Sequence, residues 1–145
     1  MPGINEMIRR AQALDLKEVV QVSVVSTVQE YEQLQKFQML TGQDSKGNKL
    51  GKYKNRKYAE KKFAMNPLAG FGNMDFRLSG DFFKEFFTRA GTNSVFISSG
   101  NNKTERLLKI NKDAFGLNKM NLSEYSVHHM GPKANELVKK QLHGG

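Results

Sequence analysis

A phenylalanine-rich stretch, NMDFRLSGDFFKEFF at residues 73–87, constrains the fold more strongly than any other part of the chain. Four of its phenylalanines are spaced i, i+1, i+4, i+5, which places them on one side of an α-helix. Before them, Met74, Phe76 and Leu78 alternate with polar residues, as in a strand with one covered face. The stretch therefore predicts a strand and a helix that together build the hydrophobic core. The predicted core residues are Phe76, Leu78, Phe82, Phe83, Phe86 and Phe87.

Exposed aromatic side chains can also stack on nucleic-acid bases, as they do in single-strand binders. Such surfaces interleave aromatic and basic residues on an open sheet. Four phenylalanines on one helix stripe, next to an apolar strand, are instead typical of a core, and we favour that interpretation.

The N-terminal third predicts a helical arm followed by one long helix. Residues 1–14 form the arm, with apolar residues along one side. Asp15 begins a capping-box pattern, so a helix from Leu16 to Thr41 is expected, with Gly42 as its C′ residue. The β-branched residues between positions 19 and 28 also allow a strand there.

The long predicted helix carries more apolar residues than one buried stripe needs. Its main stripe comprises Leu16, Val19, Val20, Val24, Thr27, Val28, Tyr31, Leu34 and Phe37. A second apolar flank lies outside this stripe, and such a flank indicates either deeper burial or contact with another chain. This flank, a candidate subunit interface, consists of Val22, Val25, Met39 and Leu40.

The positive charge is concentrated in one segment. Between Asp44 and Lys62 there are eight basic and two acidic residues, so this segment holds +6 of the net charge of +9. The basic residues are Lys46, Lys49, Lys52, Lys54, Arg56, Lys57, Lys61 and Lys62. Residues 43–57 are also rich in Gly, Asn and Asp, which predicts a loop. Such a patch attracts either nucleic-acid phosphates or an acidic protein surface, and charge alone does not choose between them.

The remaining patterns predict an α+β fold in a single domain of residues 1–145. A small antiparallel or mixed sheet would be packed by amphipathic helices, with a long N-terminal helix and a C-terminal helix. The further predicted elements are a short helix over residues 58–63 stopped by Asn66 and Pro67, a strand from Ser94 to Ser98, a helix from Thr104 to Phe115 ended by Gly116, a short helix from Leu122, and a final helix from Pro132, at its first position, to Leu142.

No pattern in the chain indicates catalysis, a cofactor or a metal. The absence of cysteine excludes thiolate chemistry. The strand-loop-helix around GNNKT resembles a phosphate-binding loop, but Ile97 and Asn102 occupy the two positions where that motif requires glycine. His128 and His129 are adjacent and point about 100° apart on a helix, so they do not ligate one metal together. The carboxylates Asp75 and Asp81 show no paired spacing. The apolar run VVQVSVVSTV is too short to span a membrane.

The order of motifs across roughly residues 33 to 130 resembles small structural proteins at the head-to-tail junction of tailed bacteriophages, of the tail-completion or neck-ring type. The resembling pieces are, in order, QLQKFQMLTGQDSKGNKLGKY, KYAEKKF, DFRLSGDFFKEF, SVFISSGNNKTERLL and AFGLN. Ser79 stands where that group typically has threonine before the glycine. These motifs contain no catalytic residues.

The resemblance implies a non-enzymatic virion component that is assembled in the host cytoplasm. Identical subunits would form a closed ring between neighbouring portal, connector or tail proteins, through heterologous contacts. The basic loop would then contact either the DNA in the channel or an acidic neighbouring protein. We favour the protein, since a channel for sliding DNA should not hold phosphates tightly. The alternative is a basic nucleic-acid-binding accessory protein.

Overall fold

The computed structural model describes residues 2–76, 81–91 and 94–144, and it has an α+β fold, as predicted. Its helices are α1 (Ile4–Gln12), α2 (Leu16–Ser26), α3 (Val28–Leu40), α4 (Arg56–Met65), α5 (Asp81–Lys84), α6 (Thr104–Ile110), α7 (Lys119–Tyr125) and α8 (Gly131–His143). Its strands are β1 (Phe86–Ala90) and β2 (Val95–Ser99), which pair antiparallel. A 3-10 turn (Pro67–Ala69) follows α4, and a π-helical segment (Ser126–Met130) joins α7 to α8.

The predicted long N-terminal helix is wrong, because it is two helices with a break at Thr27. Asp15 caps α2 as predicted, accepting hydrogen bonds from the backbone N–H groups of Lys17 and Glu18. At the break, the Thr27 hydroxyl donates to the carbonyl oxygen of Ser23 and lies 2.8 Å from the Tyr125 hydroxyl. Such side-chain bonds compete with the helical backbone and bend it. Residues 19–28 are helical on both sides of the break, so the alternative strand does not form.

The helix predicted through all four phenylalanines is also wrong, because α5 ends at Lys84. Phe86 and Phe87 belong to β1, where Phe86 pairs with Ser99 and Phe87 with Ser98. A strand alternates its side chains, so Phe86 is buried, while Phe87 is on the opposite face beside Phe96, with 6.2 Å between ring centroids. Pairing with β2 therefore outweighs the local helical spacing.

The first half of the phenylalanine-rich stretch does not form the predicted strand where it is described. Residues 74–76 are irregular, and Leu78 lies outside the described residues, as does the side chain of Phe82. Phe76 nevertheless belongs to the core, and the half-buried Phe83 packs against that core. The buried members of this core are Met39, Leu50, Phe76, Phe86 and Ala114.

Two buried glutamines of α3 hold the irregular segment at residues 114–118. The Gln35 amide donates to the carbonyl oxygen of Ala114 and accepts from the Gly116 N–H. The Gln38 amide donates to the Gly116 carbonyl oxygen and accepts from the Asn118 N–H, at 2.8 Å each. Both glutamines are fully buried. The glutamine-rich helix and the AFGLN motif are therefore one hydrogen-bonded unit.

The C-terminal helices differ from the predicted boundaries. Helix α6 ends at Ile110 rather than Phe115, and α7 begins at Lys119, where Asn118 caps it, rather than at Leu122. Pro132 is the second residue of α8 rather than the first. The backbone before α8 is already helical, since the Gly131 N–H donates to the Ser126 carbonyl oxygen five residues earlier, as in a π-helix. Helix α1 packs against α8.

Several local predictions are confirmed. Helix α4 ends before Asn66 and Pro67, since the residue before a proline avoids helical angles. Strand β2 forms with the predicted length, shifted by one residue toward the C-terminus. Gly42 follows α3 with a φ of +72°, as expected for a C′ residue.

We expect Gly42→Ala to lower the free energy of unfolding by about 2 kcal/mol or more. The positive φ disfavours any side chain, and an added Cβ would also lie 2.8 Å from the Met74 carbonyl oxygen. Gly47 is the matched control, because its φ is +82° but nothing lies within 4 Å of its added Cβ. Urea unfolding of both variants measures the difference, and equal losses would contradict the close approach at Gly42.

Candidate interaction surface

Seven of the eight predicted basic side chains are exposed, and within the described part of the chain four of these side chains form neither an ion pair nor a hydrogen bond. These are Lys52, Lys54, Lys57 and Lys61. Three others are engaged locally: Lys46 lies 3.3 Å from Asp113, Arg56 lies 3.2 Å from Glu60, and the Lys49 ammonium donates to the carbonyl oxygen of Thr41. The free basic charge is therefore carried by the end of the loop and by α4.

The prediction that Lys62 belongs to the basic surface is wrong, because this side chain is buried and cannot face a partner. Its ammonium lies 2.5 Å from an Asp75 carboxylate oxygen, and both side chains are almost completely buried. The other Asp75 oxygen accepts a hydrogen bond from the Asn66 amide, which also bonds the Leu40 carbonyl oxygen. The ion pair thus joins α4, the end of α3 and residue 75.

The buried ion pair forms one side of a cavity of about 430 Å³ between α4 and α6. Lys103 and Arg106, at the start of α6, line the same cavity. Both are exposed, and their side chains form no ion pair with any described residue. Neither cation is among the basic residues predicted from the sequence. Their spacing of three residues places them on one side of a helix, but only the fold shows that this side meets the basic segment.

Aromatic and amide groups complete the cavity. Tyr53 and Tyr58 line it and contact each other edge to face, with 5.0 Å between ring centroids. Burial raises the pKa of Tyr53 to about 12, and the nearby Asp75 carboxylate acts in the same direction. Asn111 also lines the cavity. Its amide nitrogen is buried and has no hydrogen-bond partner among the described residues.

A first apolar surface lies between α2 and α7. It surrounds a groove of about 600 Å³ that reaches the Tyr31 ring of α3, and its apolar members are Leu16, Val20, Val24, Val95, Leu122 and Met130. Leu16 is 65% exposed and Val20 is 48% exposed. Both were expected in a buried stripe, and the break at Thr27 together with the packing of α2 leaves them at the surface. Phe37, from the same predicted stripe, is exposed as well.

A second apolar surface lies around the turn after α4. It consists of Phe63, Met65, Leu68 and Phe71, all of them exposed. The Phe63 and Phe71 rings contact each other, with 5.8 Å between centroids. Asn66, between these residues, bonds the last residue of α3, whereas Tyr31 near the start of α3 lines the first groove. The two surfaces therefore lie toward opposite ends of α3.

The four residues predicted as a subunit interface are not together on the surface. The prediction of Met39 as an interface residue is wrong, because Met39 is completely buried in the core and unavailable to another chain. Leu40 is half-buried at the end of α3. Val22 and Val25 are exposed on α2, and Val22 lines a shallow groove against α8.

The described residues contain no cluster of three or more His, Asp or Glu side chains that could hold a metal ion. His128 lies 3.6 Å from Glu124, and the His129 ring stacks on Tyr125. No helix in the described ranges is both long and apolar enough to cross a bilayer.

Comparisons of the chain with protein families, with curated proteins and with solved structures give no match.

Proposed function

We propose that this chain is a structural protein of a tailed-phage virion, not an enzyme, and that it assembles into a closed ring at the head-to-tail junction. The main observation in favour of a ring is the pair of apolar surfaces toward opposite ends of α3. Contiguous exposed apolar residues mark interaction sites. A closed ring requires two different surfaces on each subunit, one for each neighbour.

The motif resemblance supports the location at the head-to-tail junction. Its glutamine-rich piece and its AFGLN piece are joined through Gln35 and Gln38, so two motifs that are distant in sequence serve one structural purpose. The ring would lie in the virion between portal, connector or tail proteins.

Complementation between two interface variants tests the ring. Leu16→Ser with Val20→Ser removes much of the first surface, and Leu68→Ser with Phe71→Ser removes much of the second. We expect each double variant alone to be monomeric, and the mixture to form one-to-one dimers, because each partner retains one intact surface. Native mass spectrometry measures the masses, with the wild-type chain giving the discrete ring.

Phe96→Ser is the control, since Phe96 is 58% exposed but belongs to neither surface. This variant should assemble as the wild type does. A wild-type chain that stays monomeric at high concentration would contradict the ring. If the two double variants form oligomers of the same mass as the wild type, these surfaces are not the contacts that hold the ring together.

A second candidate function, nucleic-acid binding, is favoured by the unpaired cations. Four lysines of the basic segment are exposed and unpaired, and Lys103 and Arg106 line a cavity that Tyr53, Tyr58 and Lys62 of this segment also line. On this alternative the monomer binds duplex DNA, with an affinity that falls steeply as the salt concentration rises.

A further inference from the structure

The cavity between α4 and α6 has an excess of positive charge. Among the described residues, its ionisable lining consists of Lys62, Asp75, Lys103 and Arg106, apart from the two tyrosines. Lys62 and Asp75 neutralise each other in their buried pair. Lys103 and Arg106 remain, so a ligand of this cavity carries negative charge. Arg106 can bind a carboxylate through two parallel hydrogen bonds.

The remaining lining selects for an apolar group next to that negative charge. Tyr58, Phe76, Leu107 and Ile110 supply apolar surface. Asn111 adds an amide group to this lining. An anion alone would leave the apolar walls uncovered, and an apolar group alone would leave the two cations unpaired.

The shape of the site separates a peptide from duplex DNA. A duplex keeps its bases stacked and presents phosphates on a convex outer surface, so it can contact exposed lysines but does not fill a recess unless a base flips out. An extended peptide can place one side chain into a cavity of about 430 Å³ and keep a neighbouring carboxylate at its rim.

We propose that this cavity is a docking site for an acidic, apolar peptide segment of a neighbouring protein. A carboxylate side chain lies between Lys103 and Arg106, and the adjacent apolar side chain enters the recess against Tyr58 and Ile110. The inference rests on the proposed function only for the source of the segment, which would be another virion protein.

Fluorescence anisotropy of the full chain tests this site. The probe is a panel of fluorescein-labelled peptides that carry Asp and Glu beside Phe, Leu or Trp, with matched peptides in which Asn and Gln replace the acids. Arg106→Gln should weaken binding about tenfold, as expected for loss of a charge-assisted hydrogen bond. Ile110→Trp should weaken it to a similar extent by filling the recess while keeping every charge. Both residues are exposed, so neither variant should disturb folding.

Lys109→Gln is the matched control, because Lys109 is an exposed cation of α6 outside the cavity lining. It should bind the peptides as the wild type does. Failure of the whole panel to bind would overturn the proposal. Peptide binding by Ile110→Trp with wild-type affinity would also overturn it. The peptides would then be attracted by the positive charge of the surface without entering the recess. Tighter binding of a duplex DNA, lost in Arg106→Gln, would assign the site to nucleic acid instead.

Peptide binding is measured on the isolated chain, and ring formation is measured separately by mass. Among the residues that the structure describes, the cavity shares none with either apolar surface. Arg106→Gln and Ile110→Trp should therefore leave ring formation unchanged, and either hypothesis can fail without the other.

Discussion

Asp75→Asn is expected to lower the free energy of unfolding by about 3–5 kcal/mol, because it leaves the buried Lys62 ammonium without its counter-charge. Lys62 is 3% exposed, so little water reaches its ammonium in place of the lost carboxylate. A loss of this size should lower Tm by roughly 10 °C for a chain of this length. Chemical denaturation, monitored by circular dichroism, measures the free energy directly.

The control is the same substitution at a surface ion pair. Asp113 pairs with Lys46, whose side chain is 64% exposed, so Asp113→Asn should cost no more than about 1 kcal/mol. Adding Lys62→Met to Asp75→Asn should restore part of the stability, because the unpaired charge is then removed. If Asp75→Asn is as mild as Asp113→Asn, the Lys62 ammonium must reach solvent and the buried pair does not hold α4 in place.

Gln38→Met is expected to cost about 2–4 kcal/mol. The substitution keeps a side chain of similar length but removes the acceptor for the Asn118 N–H and the donor to the Gly116 carbonyl oxygen. Each buried polar group left unpaired costs about 1–3 kcal/mol. Asn118 caps α7, so the start of that helix should become less stable as well.

Urea unfolding gives the global loss, and hydrogen exchange at the Asn118 amide reports the local one. Gln33→Met is the control, because Gln33 is an exposed residue of the same helix and its loss should change stability by less than about 0.5 kcal/mol. Unchanged protection of the Asn118 amide in Gln38→Met would show that α3 does not hold this segment.

The predictions that succeeded depend on chemistry within a few residues of the chain. Asp15 as a cap, Gly42 after α3 and the end of α4 before Pro67 all follow from local backbone preferences. The α+β class was also correct, although residues 74–76 form no strand and the helically spaced Phe86 and Phe87 belong to β1. These features were readable because the groups that cause them are neighbours in sequence.

The predictions that failed depend on partners far away in the chain. The break at Thr27 involves Tyr125, which lies 98 residues later. Phe86 and Phe87 have helical spacing, but pairing with residues 95–99 makes them a strand. Leu16 and Val20 lie on the apolar side of α2, yet the way that helix packs leaves them exposed. Tertiary contacts overrode local preference in each case.

The same distinction between local and distant causes applies to the candidate site. The sequence by itself determined the fold class, the start of α2, the ends of α3 and α4 and the position of the basic segment, since charge and backbone preference belong to single residues and their neighbours. Only the tertiary structure decided that Lys62 is buried against Asp75, that Met39 is in the core, and that Lys103 and Arg106 share a cavity with Tyr53 and Tyr58. Whether a side chain is paired, buried or free to meet a partner depends on which distant residues fold against it.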